Sequence, residues 1–311
     1  MSFITSTKLR YGKSFSTLRQ FVKHGLSLMY PVFKLIFRFP KVVSVFETLE
    51  KLKSNTFSII RFGDSEILYL NDHLNLPYQK YDSRLAKSYE QILKNNKEKL
   101  LVGLPIGYQD INTLSKEGQI FWRSQVVWNY PRFKKYLNLN SIYENASVTR
   151  LTYGFDKTYT EKAFGMWSEI LQGENVLIVE GEKTRFGVGN DLLKGFREIK
   201  RIIAPKHNAF ERCDEIIEYI VNNQVQHELI LVALGTAAKY LIFELFKKGY
   251  RCIDVGNLDI EYEWYLRGGY NERTIIPGKY TSEVKGGREV GDHPDKIAFE
   301  QYKSEIIALF T

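Results

Sequence analysis

Apolar residues recur at helical spacing from Ser14 to Tyr30, through Phe15, Leu18, Phe21, Val22, Leu26 and Met29, with Arg19, Lys23 and His24 on other faces. Pro31 interrupts the pattern, and Val32–Phe39 continues apolar except for Lys34 and Arg38. From about Val42 onward, short apolar runs alternate with helical stretches. Phe57–Arg61 reads as a strand ending at Gly63, Tyr89–Lys99 as a helix, and Leu100–Pro105 as a strand stopped by proline. Leu114–Tyr130 reads as a helix, Ala146–Tyr153 as a strand and Thr160–Leu171 as a helix. The order then sharpens. Strands at Val176–Glu180, Ile199–Ala204, Leu229–Leu234 and Cys252–Val255 alternate with helices opening at Asn190–Phe196 and covering Phe210–Asn222 and Thr236–Lys248. Uninterrupted apolar strands separated by helices predict an α/β fold with a mostly parallel sheet covered on both faces. No repeat, low-complexity tract or linker divides the chain. We therefore expect one domain over 46–311, preceded by a basic amphipathic segment over 1–45.

Charge sharpens that division. The 311 residues hold 44 Lys and Arg against 36 Asp and Glu. Residues 1–46 contain no acid and 8 bases: Lys8, Arg10, Lys13, Arg19, Lys23, Lys34, Arg38 and Lys41. Removing those 8 from 44 leaves 36 basic against 36 acidic residues, so the folded domain is electrically balanced and no nucleic-acid partner is expected. The N-terminal apolar stretch is far shorter than the ~20 residues of a membrane span, and it lacks a signal-peptide cleavage pattern. Two readings remain: a peripheral anchor drawn to an anionic membrane surface, or a helix packed on the domain with solvated cations. The acid-free composition tips towards the membrane. Cys213 and Cys252 form no disulfide framework or zinc spacing, and a cytoplasmic location follows.

Ligands of parallel sheets bind beyond the carboxyl ends of the strands, which selects three loops. In Arg61-Phe62-Gly63-Asp64-Ser65-Glu66, Asp64 and Glu66 can converge on a hard cation such as Mg²⁺ or Mn²⁺. Gly63 would permit close backbone approach, and Arg61 could meet a phosphate. The same triplet also suits a helix N-terminus, the commoner use of Asp-X-Glu. In the second loop, Glu180–Asp191, Lys183 and Arg185 with the backbone of Gly187, Gly189 and Asn190 suit an anion before a helix. It is neither a Walker loop nor a dinucleotide fingerprint. In the third, Asp254–Trp264, an extended chain would put Asp259, Glu261 and Glu263 on one side. A carboxylate there could serve as general base, or the three could form a solvated acidic edge. His24, His73, His207, His227 and His293 show no ligand spacing, and no Gly-X-Ser-X-Gly elbow supports serine hydrolase chemistry.

Taken in order, RFGDSE, VEGEKTRFGVGND, LGTAAKYLIFEL, DVGNLDIEYEW and GKYTSEV resemble the GT-D-type glycosyltransferases, bacterial proteins long classed as a domain of unknown function. The resemblance spans about residues 55–285. It implies a Rossmann-like domain that takes a hexose from a nucleotide-sugar, UDP-glucose or UDP-galactose, to a saccharide acceptor in surface polysaccharide or glycoprotein synthesis. It further implies Mn²⁺ or Mg²⁺ at Asp64 and Glu66; with such a donor, the loop residues Arg61, Gly63, Lys183, Arg185, Gly187, Gly189 and Asn190 are our candidates around the nucleotide-sugar. Asp259 or Glu261 would activate the acceptor, which a basic N-terminus would suit if lipid-linked. Two positions depart from the family pattern: Asn257 stands where His is common, and LGTAAK lacks a Pro after Gly235. The competing class is a non-catalytic, membrane-associated nucleotide- or phosphate-binding module.

Overall fold

The computed structural model describes residues 12–94, 98–109, 111–223, 229–269 and 272–311; Lys8, Arg10 and His227 lie outside them. A long helix α1 (Gly12–Ile36) leads into a short strand β1 (Lys41–Val42), helix α2 (Val45–Lys53) and strand β2 (Ser58–Arg61). Helices α3 (Asp64–Asp72) and α4 (Ser83–Lys94) precede β3 (Leu100–Leu104), α5 (Lys116–Phe133) and β4 (Ile142–Asn145). Then come α6 (Lys157–Ile170), β5 (Gln172–Gly181), β6 (Gly195–Ala204), α7 (Cys213–Asn222) and β7 (Leu229–Ala233). The chain closes with α8 (Ala238–Lys247), β8 (Cys252–Asp254), α9 (Leu258–Leu266), α10 (Lys296–Ser304) and β9 (Ile306–Leu309).

Among the described residues, nine strands form one sheet in the order β1-β4-β3-β2-β8-β7-β5-β6-β9, with neighbouring strands parallel. Central strands β2, β3 and β7 are buried throughout, as parallel strands between two helical layers must be. Alternate strand residues feed two cores. Ile60, Val102, Leu177 and Val232 pack with α4, α5, α7 and α8, whereas Ile59, Leu101, Ile178 and Leu231 pack with α2 and α6. The expected doubly covered sheet is thus the observed one.

Several local expectations shift, each for a visible reason. Helix α1 runs through Pro31, because Tyr30 donates to the Gly107 carbonyl at 3.1 Å and Phe37 and Phe39 pack edge-on to Tyr130; this packing outweighs the proline's cost. Helix α4 begins before Tyr89, where the Asp82 carboxylate accepts from the Arg84 amide at 2.7 Å. The strand expected at Ala146–Tyr153 lies at Ile142–Asn145, since Asn145 caps a 3₁₀ turn over Ala146–Thr149. Asn190–Phe196 opens no helix: its turns lead into β6. Residues 258–266, considered as extended, form α9, so Asp259 and Glu263 share a face and Glu261 points elsewhere.

Trp167 of α6 is fully buried and donates to the Val148 carbonyl at 2.7 Å, joining α6 to the turn after β4. We expect Trp167→Ala to lower unfolding free energy by about 3–5 kcal/mol, read as a lower denaturant midpoint at unchanged slope.

Candidate functional site

A cavity of about 590 Å³ opens at the carboxyl ends of the strands, with residues following β2, β4, β5, β7 and β8 in its walls. Its base is a buried set of charges. The Arg61 guanidinium meets Asp254 Oδ1 at 2.8 Å and also donates to the carbonyls of Asp254 and Ala146. Lys239 of α8 lies 3.1 Å from both Asp254 Oδ2 and Glu66 Oε1. Burial alone would raise the Asp254 carboxyl, but Arg61 and Lys239 outweigh it and hold its pKa below the usual carboxylate range. Gly256, at φ +44°, allows this arrangement: a Cβ there would collide with the Arg61 guanidinium.

Glu66 reaches back to the Gly63 amide at 2.8 Å, the half of a capping box that fixes the start of α3. Asp64, one residue into that helix, faces the cavity. Burial raises its pKa, Glu66 and Glu283 reinforce the rise, and only Arg150 works against it among these charges. The cap and the cation readings of Asp64-X-Glu66 are therefore compatible: Glu66 caps, while half-buried Asp64 sits where burial and neighbouring carboxylates disfavour its charged form.

A second group of charges forms another part of the wall. Glu283 binds Arg150 at 2.9 Å and Arg273 at 2.8 Å, and accepts from Asn257 Nδ2 at 3.1 Å. Burial would raise the Glu283 carboxyl, but the two guanidiniums and the amide bring it down to about 2. Asn257 thus orients the carboxylate that holds two cavity arginines, a task needing an amide donor and no titratable group. Arg288 and Lys206 add further cationic lining.

Of the residues singled out in the sequence, Arg61, Gly63, Asp64, Glu66 and Asp259 line this cavity. Asp259 is held by Lys279 at 2.7 Å and by the Asn190 amide at 2.8 Å. Glu261 is buried away from the lining, where one oxygen accepts from the amides of Leu151 and Thr152 and the Thr152 hydroxyl. Lys183, Arg185, Gly187, Gly189 and Asn190 are not among the lining residues. Arg185 donates to the carbonyls of Gly278 and Gly291 and stacks over Phe299, while Lys183 donates to the Val290 carbonyl. These two cations tie the β5–β6 loop to the segment before α10. Gly187 and Gly189, at φ +72° and +76°, fit left-handed turns beside Leu193 and His293. Trp264 is buried and donates to the Thr274 carbonyl, and so packs the core.

Arg150, Lys239, Asp254, Arg273 and Glu283 join the site without a motif of their own in the sequence. Lys239 carried a signal: a lone cation amid the apolar run of LGTAAKYLIFEL has to be paired if that face is buried. Arg150 and Glu283 meet across 133 residues of sequence, and no local pattern marks such a pair. Among the described residues, no group of three or more His, Cys, Asp or Glu forms a ready metal cage.

Residues 59–284 match the family model for the glycosyltransferase GT-D fold. The chain is 34% identical over 270 residues to glycosyltransferase GlyD of Streptococcus pneumoniae serotype 4, covering 86% of this chain and 32% of that protein. A relative from Streptococcus gordonii is 32% identical over 86% of this chain and 38% of its own length. The chain therefore spans about a third of the curated relatives it matches. A solved glycosyltransferase from Streptococcus sanguinis superposes with a TM-score of 0.79 at 31% identity, over 88% of this chain and all of that one. A second solved structure, of domain of unknown function 1792 and described as a distinct glycosyltransferase fold, gives 0.78 at 33% identity over 93% and 99% of the two chains.

The depressed Glu283 pKa has a defined pH signature. The ion pairs contribute fully above the ordinary carboxylate pKa of 4.5 and are lost as pH falls through about 2. Glu283→Gln should lower the thermal midpoint by a constant amount from pH 7 to about 5, and the gap to wild type should close steadily below about pH 4.

Proposed function

The chain belongs to the GT-D glycosyltransferase family, and from that premise we propose that its cavity binds a UDP-hexose, UDP-glucose or UDP-galactose, and transfers the hexose to a saccharide acceptor. The observation that carries this reading is the juxtaposition, at the carboxyl ends of the strands, of a half-buried cavity-lining carboxylate, Asp64, with a cationic wall built from Arg150 and Arg273. A nucleoside diphosphate needs both: fixed cations for its oxygens and a site for a divalent counter-ion. Phe121, Trp122 and Tyr153 offer aromatic faces to base or sugar.

The donor set suits Mn²⁺ or Mg²⁺. Carboxylate oxygens are hard ligands, and burial with Glu66 and Glu283 nearby raises the Asp64 pKa, a cost that a bound cation would offset. Both Glu66 oxygens are engaged, by Lys239 and the Gly63 amide, so Asp64 would be the principal ligand, with Glu66 in support. Diphosphate oxygens and water complete such a shell. When bound, the ion supplies Lewis-acid stabilisation of the departing diphosphate. Arg150 and Arg273, preorganised by Glu283, neutralise the same charge without reorganising during the reaction. As the bond from the anomeric carbon to the diphosphate breaks and UDP leaves, the acceptor hydroxyl oxygen bonds to that carbon and its proton passes to a carboxylate, for which Asp259 is the candidate. Asp259, the acidic candidate that reaches the cavity, orients this hydroxyl. Glu261 serves the fold in this assignment, because it lies outside the cavity lining and one of its oxygens accepts from residues 151–152. The acceptor is a saccharide of surface polysaccharide or glycoprotein synthesis, carried on lipid or protein at the cytoplasmic membrane face.

Hydrolysis of UDP-glucose and UDP-galactose without acceptor, with and without Mn²⁺, tests the reading. Turnover should require the ion, and Asp64→Ala/Glu66→Ala should lower it by on the order of 10²-fold or more, several kcal/mol of barrier. Wild-type turnover in the double variant would remove the metal assignment. Tight UDP binding without turnover of any nucleotide-sugar would favour the non-catalytic module.

A further inference from the structure

Helix α1 has two apolar faces, and the domain uses one. Leu26, Tyr30, Phe33 and Phe37 turn inward towards the core that includes α5. On the far side, Leu18, Phe21, Val22, Leu28, Met29, Val32, Leu35 and Ile36 are exposed, reaching 77% at Phe21, 80% at Leu28 and 88% at Leu35. They share one side of the helix, with Gly25 between Val22 and Leu28, and so form one stripe along it. Exposed apolar side chains are ordinary when scattered, but eight in one stripe form a contiguous patch, which marks a contact surface.

Charge identifies the partner. No acidic residue occurs from residue 1 to 46. Lys34, Arg38 and Lys41 are exposed at the C-terminal end of the stripe, and Lys134 and Lys135 join them from the end of α5, with Lys134 over the Phe37 ring at 4.9 Å. A segment that carries an exposed apolar stripe, exposed cations at its C-terminal end and no acid is complementary to a surface that is apolar inside and anionic at its edge. Among the described residues no helix is long and apolar enough to cross a membrane, so the helix would lie on the bilayer. We propose that α1 seats the protein on anionic lipid, with Leu18, Phe21, Leu28, Met29, Val32 and Leu35 entering the headgroup–acyl boundary and Lys34, Arg38, Lys41, Lys134 and Lys135 meeting lipid phosphates. This inference goes beyond glycosyl transfer and stands whether or not the cavity turns over a UDP-hexose.

Substitution is the right test, because truncation at residue 40 would also remove Tyr30, Phe37 and Phe39 from the core. The full chain and its Phe21→Ser/Leu28→Ser/Leu35→Ser variant are floated with vesicles of phosphatidylcholine alone or mixed equally with phosphatidylglycerol, with circular dichroism confirming folding. The wild type should float with the anionic vesicles and release in about 0.5 M salt. The triple variant should partition at least about tenfold less, with an unchanged spectrum. Equal flotation of the two proteins would overturn the proposal. So would a wild-type dimer in sedimentation velocity that ignores vesicles and becomes monomeric on triple substitution, since the stripe would then bind a second copy.

Discussion

Asp254 lies at the end of β8 with almost no solvent contact, and two cations from different elements converge on it. A buried carboxylate without partners is too costly to keep ionised, so Arg61 of β2 and Lys239 of α8 have to reach it. Lys239 in turn has to satisfy Glu66 of α3. One desolvated charge thereby fixes the relative positions of two strands and two helices at the rim where the cavity opens. Replacing the set by apolar residues need not cost stability; its use is to place Gly63, Asp64 and Glu66 at a defined point beside the β8 loop.

The remaining charges follow the same economy at greater distance. Glu283 sits far along the chain, yet it holds Arg150 and Arg273 in the cavity wall and is itself oriented by Asn257. Arg201 of β6 bridges Glu180 of β5 and Glu305 next to β9, closing the other edge of the sheet. Lys279, fully buried, answers both Asp259 and Glu263 on α9. Nearly all the chemistry-bearing groups are therefore held by partners from other segments, and the segment after α9 completes the site instead of merely following the domain.

The layered parallel sheet was legible in the sequence because buried strands such as LILVAL and VLIVE admit few other readings. The first loop was legible for a similar reason: a glycine and two acids directly after a strand sit where parallel sheets bind ligands. In the second loop, glycines and cations match an anion cradle in composition. Lys183 and Arg185 instead spend their donors on carbonyls of residues 278–291, which no local window reveals. The third loop misled through periodicity, since i, i+2, i+4 aligns on a strand but splits on a helix. Asn257 lacked meaning until Glu283 was beside it. Pairings across more than a hundred residues are properties of the fold, and they carry most of the site.

The central claim is that the diphosphate of a nucleotide-sugar sits between Asp64 and the Arg150–Arg273 wall, and not on the β5–β6 loop. Calorimetric titration of UDP in the presence of Mn²⁺ separates the two. The account predicts that Arg150→Ala/Arg273→Ala weakens UDP binding by roughly 1.5–3 kcal/mol or more, the value of charge-assisted hydrogen bonds, while Lys183→Ala leaves it unchanged. Undiminished affinity in the arginine variant, with loss in Lys183→Ala, would contradict it.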